Sequence, residues 1–306
     1  MLVTALMILV VSFAKWTLSD PIERSLYPND PIKACEIKKQ DIALNTAMFW
    51  PHAELSRLVV CSYISLWLFL WDDQIDDKTG TRHSDMEAAR RAHAEVLSYM
   101  SYCLQLDSGY PEVKPTDPLI LLFKDIGDAL CREYDIDQRE DVFEYLRLYI
   151  QGIEKEQLLN VENRMPSIDE YLAIRRQSSA VLLTLAMNDY TVSRRLPEKL
   201  RYHPAVRELC EQTNIAISIA NDIFSLEKEF KNGALLNYIP VAYSKTKDAQ
   251  QATDEAVISV DMAIRKFEWA KKESLYAAQR MGLPESEVRW FIEGCEYQMT
   301  GNIYWR

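Results

Sequence analysis

Two short segments carry the side chains best suited to chemistry. The first is Asp72-Asp73-Gln74-Ile75-Asp76-Asp77, four acids close behind a run, residues 59–71, that is apolar on every side. A helix through that run would end in carboxylates, which oppose its dipole at about 0.3–1 kcal/mol each. Something must compensate, and divalent cations are the natural candidate. The second segment is residues 213–230, TNIAISIANDIFSLEKEF, where isoleucines, Phe224 and Leu226 cover most of a helical circumference. One stripe stays polar, and within it Asn221, Ser225 and Glu229 are spaced by four. Each such step turns about 40° past a full helical turn, so the three project along one side. An amide oxygen, a hydroxyl and a carboxylate form an all-oxygen set suited to Mg²⁺, which keeps coordination positions open for water and substrate phosphate. The two segments read as halves of one metal–diphosphate site.

The elements that must position these residues are helices. Apolar residues recur at helical spacing over residues 41–50, 53–73, 84–106, 117–133, 141–163, 168–190, 204–231, 252–281 and 284–304, with breakers such as Gly109–Pro111, Pro166, Pro197, Gly233 and Gly282–Pro284 between them. No stretch alternates with period two. The spacing predicts one all-α domain over residues 1–306, an α-helical bundle of about ten helices. The run 59–71 is too short to span a bilayer and reads as a core helix.

Composition agrees. Gly and Pro together number 20 of 306 residues, roughly half the usual share of about 12%, which disfavours sandwiches, barrels and glycine-rich nucleotide folds. With 35 basic and 46 acidic side chains the net charge is −11, which excludes a nucleic-acid partner bound through a basic footprint. The six cysteines are scattered without a C-x-x-C pair, as expected of free thiols in a reducing, cytoplasmic setting. None of His52, His83, His93 and His203 has a Glu three residues before it, which excludes a di-iron helical bundle. Residues 2–14 are mostly apolar and followed by Lys15; a packed helix and a membrane contact both stay open for them, as do monomer and homodimer for the whole chain.

Asp72-Asp73-x-x-Asp76 resembles the aspartate-rich motif of class I terpene synthases, and Asn221-Asp222-x-x-Ser225-x-x-Lys228-Glu229 is similar to their second metal motif, with every defining position filled. The segment from Tyr171 to Ala180 is similar to the one that carries the family's diphosphate-sensing arginine. Its distance of 46 residues before Asn221 favours Arg175 over Arg176. Ser179 and Ala180 resemble the small residues where that helix loosens towards substrate. Met48–Pro51 and Asn302–Trp305 are closest to fungal sesquiterpene synthases.

The resemblance implies the class I isoprenoid-synthase fold and a lyase of secondary metabolism. The expected reaction is Mg²⁺-dependent ionisation of a prenyl diphosphate, farnesyl diphosphate above all, and its cyclisation to a sesquiterpene. It further implies three Mg²⁺ ions, with Mn²⁺ as a substitute, held by Asp72, with Asp73 and Asp76, and by Asn221, Ser225 and Glu229. Arg175, Arg176 and Lys228 are the implied diphosphate contacts. Phe69 and Trp305 are the candidate aromatic faces for a carbocation. One departure stands out: the family's terminal Arg-Tyr is missing after Gly301-Asn302-Ile303-Tyr304-Trp305, and the Arg201-Tyr202 pair lies between helices. A chain-elongating prenyl transferase normally carries a second aspartate-rich motif where Asn221–Ser225 stands here, so cyclisation is preferred. A non-catalytic, membrane-associated helical protein is the alternative from another class.

Overall fold

The helices start where the sequence supplies N-terminal caps. The computed structural model describes residues 2–76, 85–231 and 233–305, with side chains from residue 11 onward except that of Asp76. Asp77, the breakers Thr79 and Gly80, and Arg306 lie outside the described residues. In chain order the elements are α1 (Leu2–Asp20), a π-helical turn (Pro21–Leu26), α2 (Pro31–Lys39), α3 (Ile42–Phe49), α4 (Leu55–Asp76), α5 (Met86–Cys103), α6 (Pro118–Leu121) and α7 (Phe123–Glu133). They continue as α8 (Ile136–Val161), α9 (Ile168–Ser178), α10 (Val181–Val192), α11 (Glu198–Arg201), α12 (Pro204–Lys231), α13 (Tyr238–Thr246), α14 (Ala249–Arg280) and α15 (Ser286–Trp305). No strand occurs among the described residues, so the all-α reading holds. The side chains of Asp30, Asp41, Asp85, Asp117, Ser167, Asn237 and Asp248 each accept a backbone N–H from the first turn of the helix that follows. Such caps stabilise a helix by about 1 kcal/mol each.

Several elements differ from the periodicity. The expected helix over 117–133 is split into α6 and α7, and that over 168–190 into α9 and α10. The second break falls at Ala180, a non-glycine residue at φ +59°, a conformation that costs about 1–2 kcal/mol. The short helices α2, α11 and α13 carry too few turns for periodicity to register and are set by caps and prolines instead. The run 59–71 belongs to a 22-residue helix, α4, so the length argument against a membrane span fails. Burial replaces it: residues Leu55–Ile75 are apolar enough to cross a membrane, yet more than half of that stretch is buried within the protein.

Two compact units divide the chain, Met1–Arg147 with Tyr190–Ser193, and Leu148–Asp189 with Arg194–Arg306. In the first, α4 packs against α1, α3 and α7. Trp67 and Trp71, both fully buried, stack with ring centroids 5.4 Å apart. Arg57 ties in the short return segment: its guanidinium lies 4.9 Å from the Tyr190 ring centroid, and Nη2 donates to Glu133 at 2.7 Å. On α1, Ala14 and Leu18 face inward while Phe13 and Trp16 are exposed.

In the second unit α12 lies along α14 and also meets α9, α13 and α15. Ala256, Ala263, Ala270 and Ala277, seven residues apart, are all buried to 2% exposure or less. Small side chains at that spacing let α14 approach α12 closely. A second close approach involves Gly152 of α8, where a Cβ would stand 2.4 Å from the Ser178 backbone nitrogen. Gly152→Ala is therefore expected to destabilise the protein by about 1–3 kcal/mol through overpacking, although alanine gains about 1 kcal/mol in helix propensity. Urea denaturation measures the sign; a stabilised variant would show that α8 can withdraw from Ser178.

Candidate active site

Asn221, Ser225 and Glu229 occupy successive turns of α12, about 6 Å apart along its axis. Ser225 is 8% exposed, and its hydroxyl oxygen makes no hydrogen bond among the described residues. Asn221 and Glu229 are partly exposed on either side of it. Lys228 is exposed one turn past Ser225. Among the described residues no three His, Cys, Asp or Glu side chains gather as a metal cluster. The mixed amide, hydroxyl and carboxylate set therefore stands as the candidate, and its buried, unsatisfied hydroxyl oxygen is the kind of group a hard cation satisfies.

Asp222, the residue between these positions, points the other way into the protein. It is 1% exposed, and its two oxygens receive donors from three directions. Arg175 Nη2 lies 3.2 Å from Oδ1, the Tyr238 backbone N–H donates to Oδ2 at 3.1 Å, and the Tyr171 hydroxyl also donates to Oδ2. Burial pushes the Asp222 carboxyl above the usual carboxylate range, while Arg175, the Tyr171 hydroxyl and the Tyr238 N–H pull it back. Burial works against the charge on Arg175, yet Asp222, with Tyr171, Glu156 and Glu229, keeps this guanidinium protonated far above neutral pH. The Tyr171 phenol is held well above 10 by burial and then by Asp222, so it stays a donor.

Arg175 is thereby aimed at α12, and its Nη2 also donates to Asn221 Oδ1 at a long 3.5 Å. Its Nε is buried without a hydrogen bond. Arg176 points elsewhere: its Nε lies 2.6 Å from Glu211, at a half-exposed position. The break after α9 is pinned by the wholly buried Asn214. Its Oδ1 accepts from Ser179 and Ser218 at 2.9 Å each, and its Nδ2 donates to the Arg176 carbonyl at 2.8 Å. Ser178, beside it, donates to Glu156 of α8. Two members of the polar stripe, Asn214 and Ser218, are thus structural.

Trp305 sits half-buried in the last turn of α15. Asn302, three residues before it, is buried and donates to the Ile217 carbonyl of α12 at 3.3 Å. The Arg201-Tyr202 pair is used structurally, although it does not lie between helices as expected: Arg201 ends the short helix α11 and Tyr202 caps it. Arg201 pairs with the buried Asp189, and Tyr202 lies beneath Arg207 at 5.7 Å.

In the other unit, Asp72 and Asp73 are exposed at the end of α4 and Phe69, one turn earlier, is half-buried. The Tyr27 hydroxyl titrates above its ordinary value because of burial and then the charges of Asp73, Asp117 and Asp30. The Asp76 side chain lies outside the described residues.

Sequence reasoning placed Asp222 in the second metal motif without foreseeing its buried ion pair, and did not assign Tyr171, Asn214 or Asn237 a role. Asn237 carried a local signal, as a helix cap following Gly233.

An all-helical fold and an oxygen-rich helix face backed by a partly buried arginine are features that a metal-dependent enzyme acting on a diphosphate would need. Residues 63–266 match the family model described as terpene synthase family 2, C-terminal metal binding. The chain is 31% identical over 291 residues to the sesquiterpene cyclase hepA of Aspergillus oryzae, covering 92% of this chain and 78% of that one. It is 27% identical over 286 residues to the terpene cyclase braA of Annulohypoxylon truncatum, covering 89% and 73%. Among solved structures, a linalool/nerolidol synthase from Streptomyces clavuligerus, in complex with 2-fluorogeranyl diphosphate, superposes with a TM-score of 0.85 at 15% identity, covering 96% and 98%. An α-eudesmol synthase superposes with a TM-score of 0.81 at 20% identity, covering 95% and 94%. The chain belongs to the class I terpene synthases. It is an enzyme of the lyase kind that uses a divalent metal, and terpene cyclisation from a prenyl diphosphate is its reaction class.

The buried ion pair yields a stability prediction. Asp222→Asn leaves a mostly buried guanidinium without its countercharge and is expected to cost about 3 kcal/mol. Tyr171→Phe, which removes one neutral donor, is expected to cost about 1 kcal/mol. Urea denaturation followed by circular dichroism separates the two; equal losses would place the stabilisation in the tyrosine hydrogen bond.

Proposed function

We propose that this enzyme uses Mg²⁺ to convert farnesyl diphosphate into a cyclic sesquiterpene with release of diphosphate. The observation that carries the reading is Ser225, a buried hydroxyl oxygen without a hydrogen bond, one turn from Asn221 and one turn from Glu229. The relatives named as sesquiterpene cyclases support the farnesyl substrate. The fold shared with a synthase that holds a fluorinated geranyl diphosphate supports the diphosphate chemistry.

By family resemblance, Asn221, Ser225 and Glu229 would hold Mg²⁺, as would Asp72 with its neighbours Asp73 and Asp76, and three ions are expected. Bound, the ions would supply Lewis-acid neutralisation of the charge that builds on the departing diphosphate. Arg175 is kept cationic by Asp222 and so is suited to donate charge-assisted hydrogen bonds to diphosphate oxygens. Lys228 is exposed and free to do the same. Arg176 is engaged by Glu211, which favours Arg175 for this role. Phe69 and Trp305 would offer aromatic faces to the carbocation, with up to about 2 kcal/mol each where desolvated. The family model runs through both compact units, which supports a single working domain. All six cysteines are free, which supports a reducing, cytoplasmic location.

The test is incubation with Mg²⁺ and geranyl, farnesyl or geranylgeranyl diphosphate, with product analysis by gas chromatography and mass spectrometry. A cyclic hydrocarbon or alcohol of fifteen carbons from farnesyl diphosphate is expected. A longer prenyl diphosphate made with added isopentenyl diphosphate would identify a chain-elongating transferase instead. Asn221→Ala and Glu229→Ala are each expected to lower turnover by a factor of about 100 or more with unchanged circular dichroism. Wild-type rates in both would show that the stripe is structural.

A further inference from the structure

Glu229 does not stand alone at the end of α12. Gly233, at φ +71°, ends the helix, and the Ala234 N–H returns to the Glu229 carbonyl at 2.9 Å. That reversal brings Asn237 back against the last turns of α12. Asn237 is wholly buried, and its side chain makes three hydrogen bonds. Nδ2 donates to Glu229 Oε2 at 2.9 Å and to the Asp222 carbonyl at 2.7 Å, while Oδ1 accepts the Ile239 N–H at 3.0 Å as the cap of α13. Both amide hydrogens face acceptors and the amide oxygen faces a donor, so the group has one satisfied orientation. Turning it over would set oxygen against oxygen twice and N–H against N–H once.

We propose that Asn237 is a positioning residue for the metal site. It holds one carboxylate oxygen of Glu229, fixes that side chain in a single orientation, and couples it to the N-terminus of α13. The inference rests on the reading that Glu229 is a metal ligand, and adds the residue that orients it. The physical reason is entropy and charge. A glutamate with three free torsions gives up conformational freedom when it binds an ion, and a partner that orders it beforehand removes that cost. Outer-shell hydrogen bonds of this kind typically change metal affinity by a factor of about 10–100. Aspartate could cap α13 as well as asparagine, but it would set a carboxylate against Glu229 and a main-chain carbonyl. The donor NH₂, rather than the cap, is therefore what the site requires at this position.

Two variants separate the cap from the positioning role. Asn237→Ser keeps a good helix cap but cannot span to Glu229, and Asn237→Asp keeps the cap and the size while exchanging donors for acceptors. The measurement is the Mg²⁺ concentration that half-saturates the rise in melting temperature at fixed inorganic diphosphate, with the Mg²⁺ dependence of turnover in parallel. Asn237→Ser is expected to need about 10–100 times more Mg²⁺, with a metal-free melting temperature lowered by loss of the buried hydrogen bond to the Asp222 carbonyl. Asn237→Asp should show at least the same shift, and it serves alone if the serine variant does not fold. Unchanged Mg²⁺ requirement in the folded variants would reduce Asn237 to a helix cap and overturn the proposal. Glu229→Ala is the control on the underlying reading. If it leaves the Mg²⁺ requirement unchanged, Glu229 is no ligand and that reading fails with the proposal. If it raises the requirement while the Asn237 variants do not, the proposal alone fails.

Discussion

The buried carboxylate of Asp222 is the constraint on which the second unit depends. Taking such a group out of water costs several kcal/mol, and only close opposite charge and well-placed donors offset it. Here the donors come from α9, through Tyr171 and Arg175, and from the first residue of α13, through the Tyr238 N–H. Satisfying one side chain therefore fixes where two other helices meet α12. The Tyr171 and Tyr238 rings, edge to face at 6.4 Å, fill the space beside it. With Asp222 turned inward, the residues on the adjoining face of the same helix, Asn221, Ser225 and Glu229, are the ones proposed to bind metal.

The acidic balance of −11 acquires several distinct meanings. Five aspartates, Asp30, Asp41, Asp85, Asp117 and Asp248, cap helices, where a carboxylate beside the positive end of the dipole is favourable. Asp189 and Asp222 neutralise partly buried arginines. Asp72 and Asp73 are the exception in sign, standing at the unfavourable end of α4. Their exposure lets water screen much of that cost, so the dipole argument for a compensating cation is weaker than the sequence suggested. The family match supports use of a divalent metal, and metal binding at these two aspartates is part of the proposal.

How much was legible follows the range over which each feature is determined. Helix α12 runs over Pro204–Lys231 as its periodicity predicts, because an apolar circumference interrupted by one polar stripe is a local pattern. The break inside 117–133 was not legible; the one inside 168–190 is absent from the periodicity, and only the family resemblance at Ser179 and Ala180 marked it. Ala180 takes a left-handed backbone against its own preference, held by Ser179 and Asn214 across the fold. Helix α13 is too short for a periodic signal, and its start is set by Asn237. The expectation that residues 59–71 were too short for a membrane failed on helix length, and burial of Trp67 and Trp71 replaced it.

By itself the sequence determined the residue types and spacings on which the chemistry rests: aspartates behind an apolar helix, and an amide, a hydroxyl and a carboxylate four residues apart. Those are properties of one helix and need no partner to be read. The tertiary structure separated neighbours that the spacing could only rank. Arg175 and Arg176 stand about 100° apart around the same helix, and the first meets Asp222 while the second meets Glu211. Asn214, Asp222 and Asn237 likewise acquired their roles from groups that fold against them. A polar side chain's type fixes what it can bond; what it does bond depends on the distant segment that removes it from water.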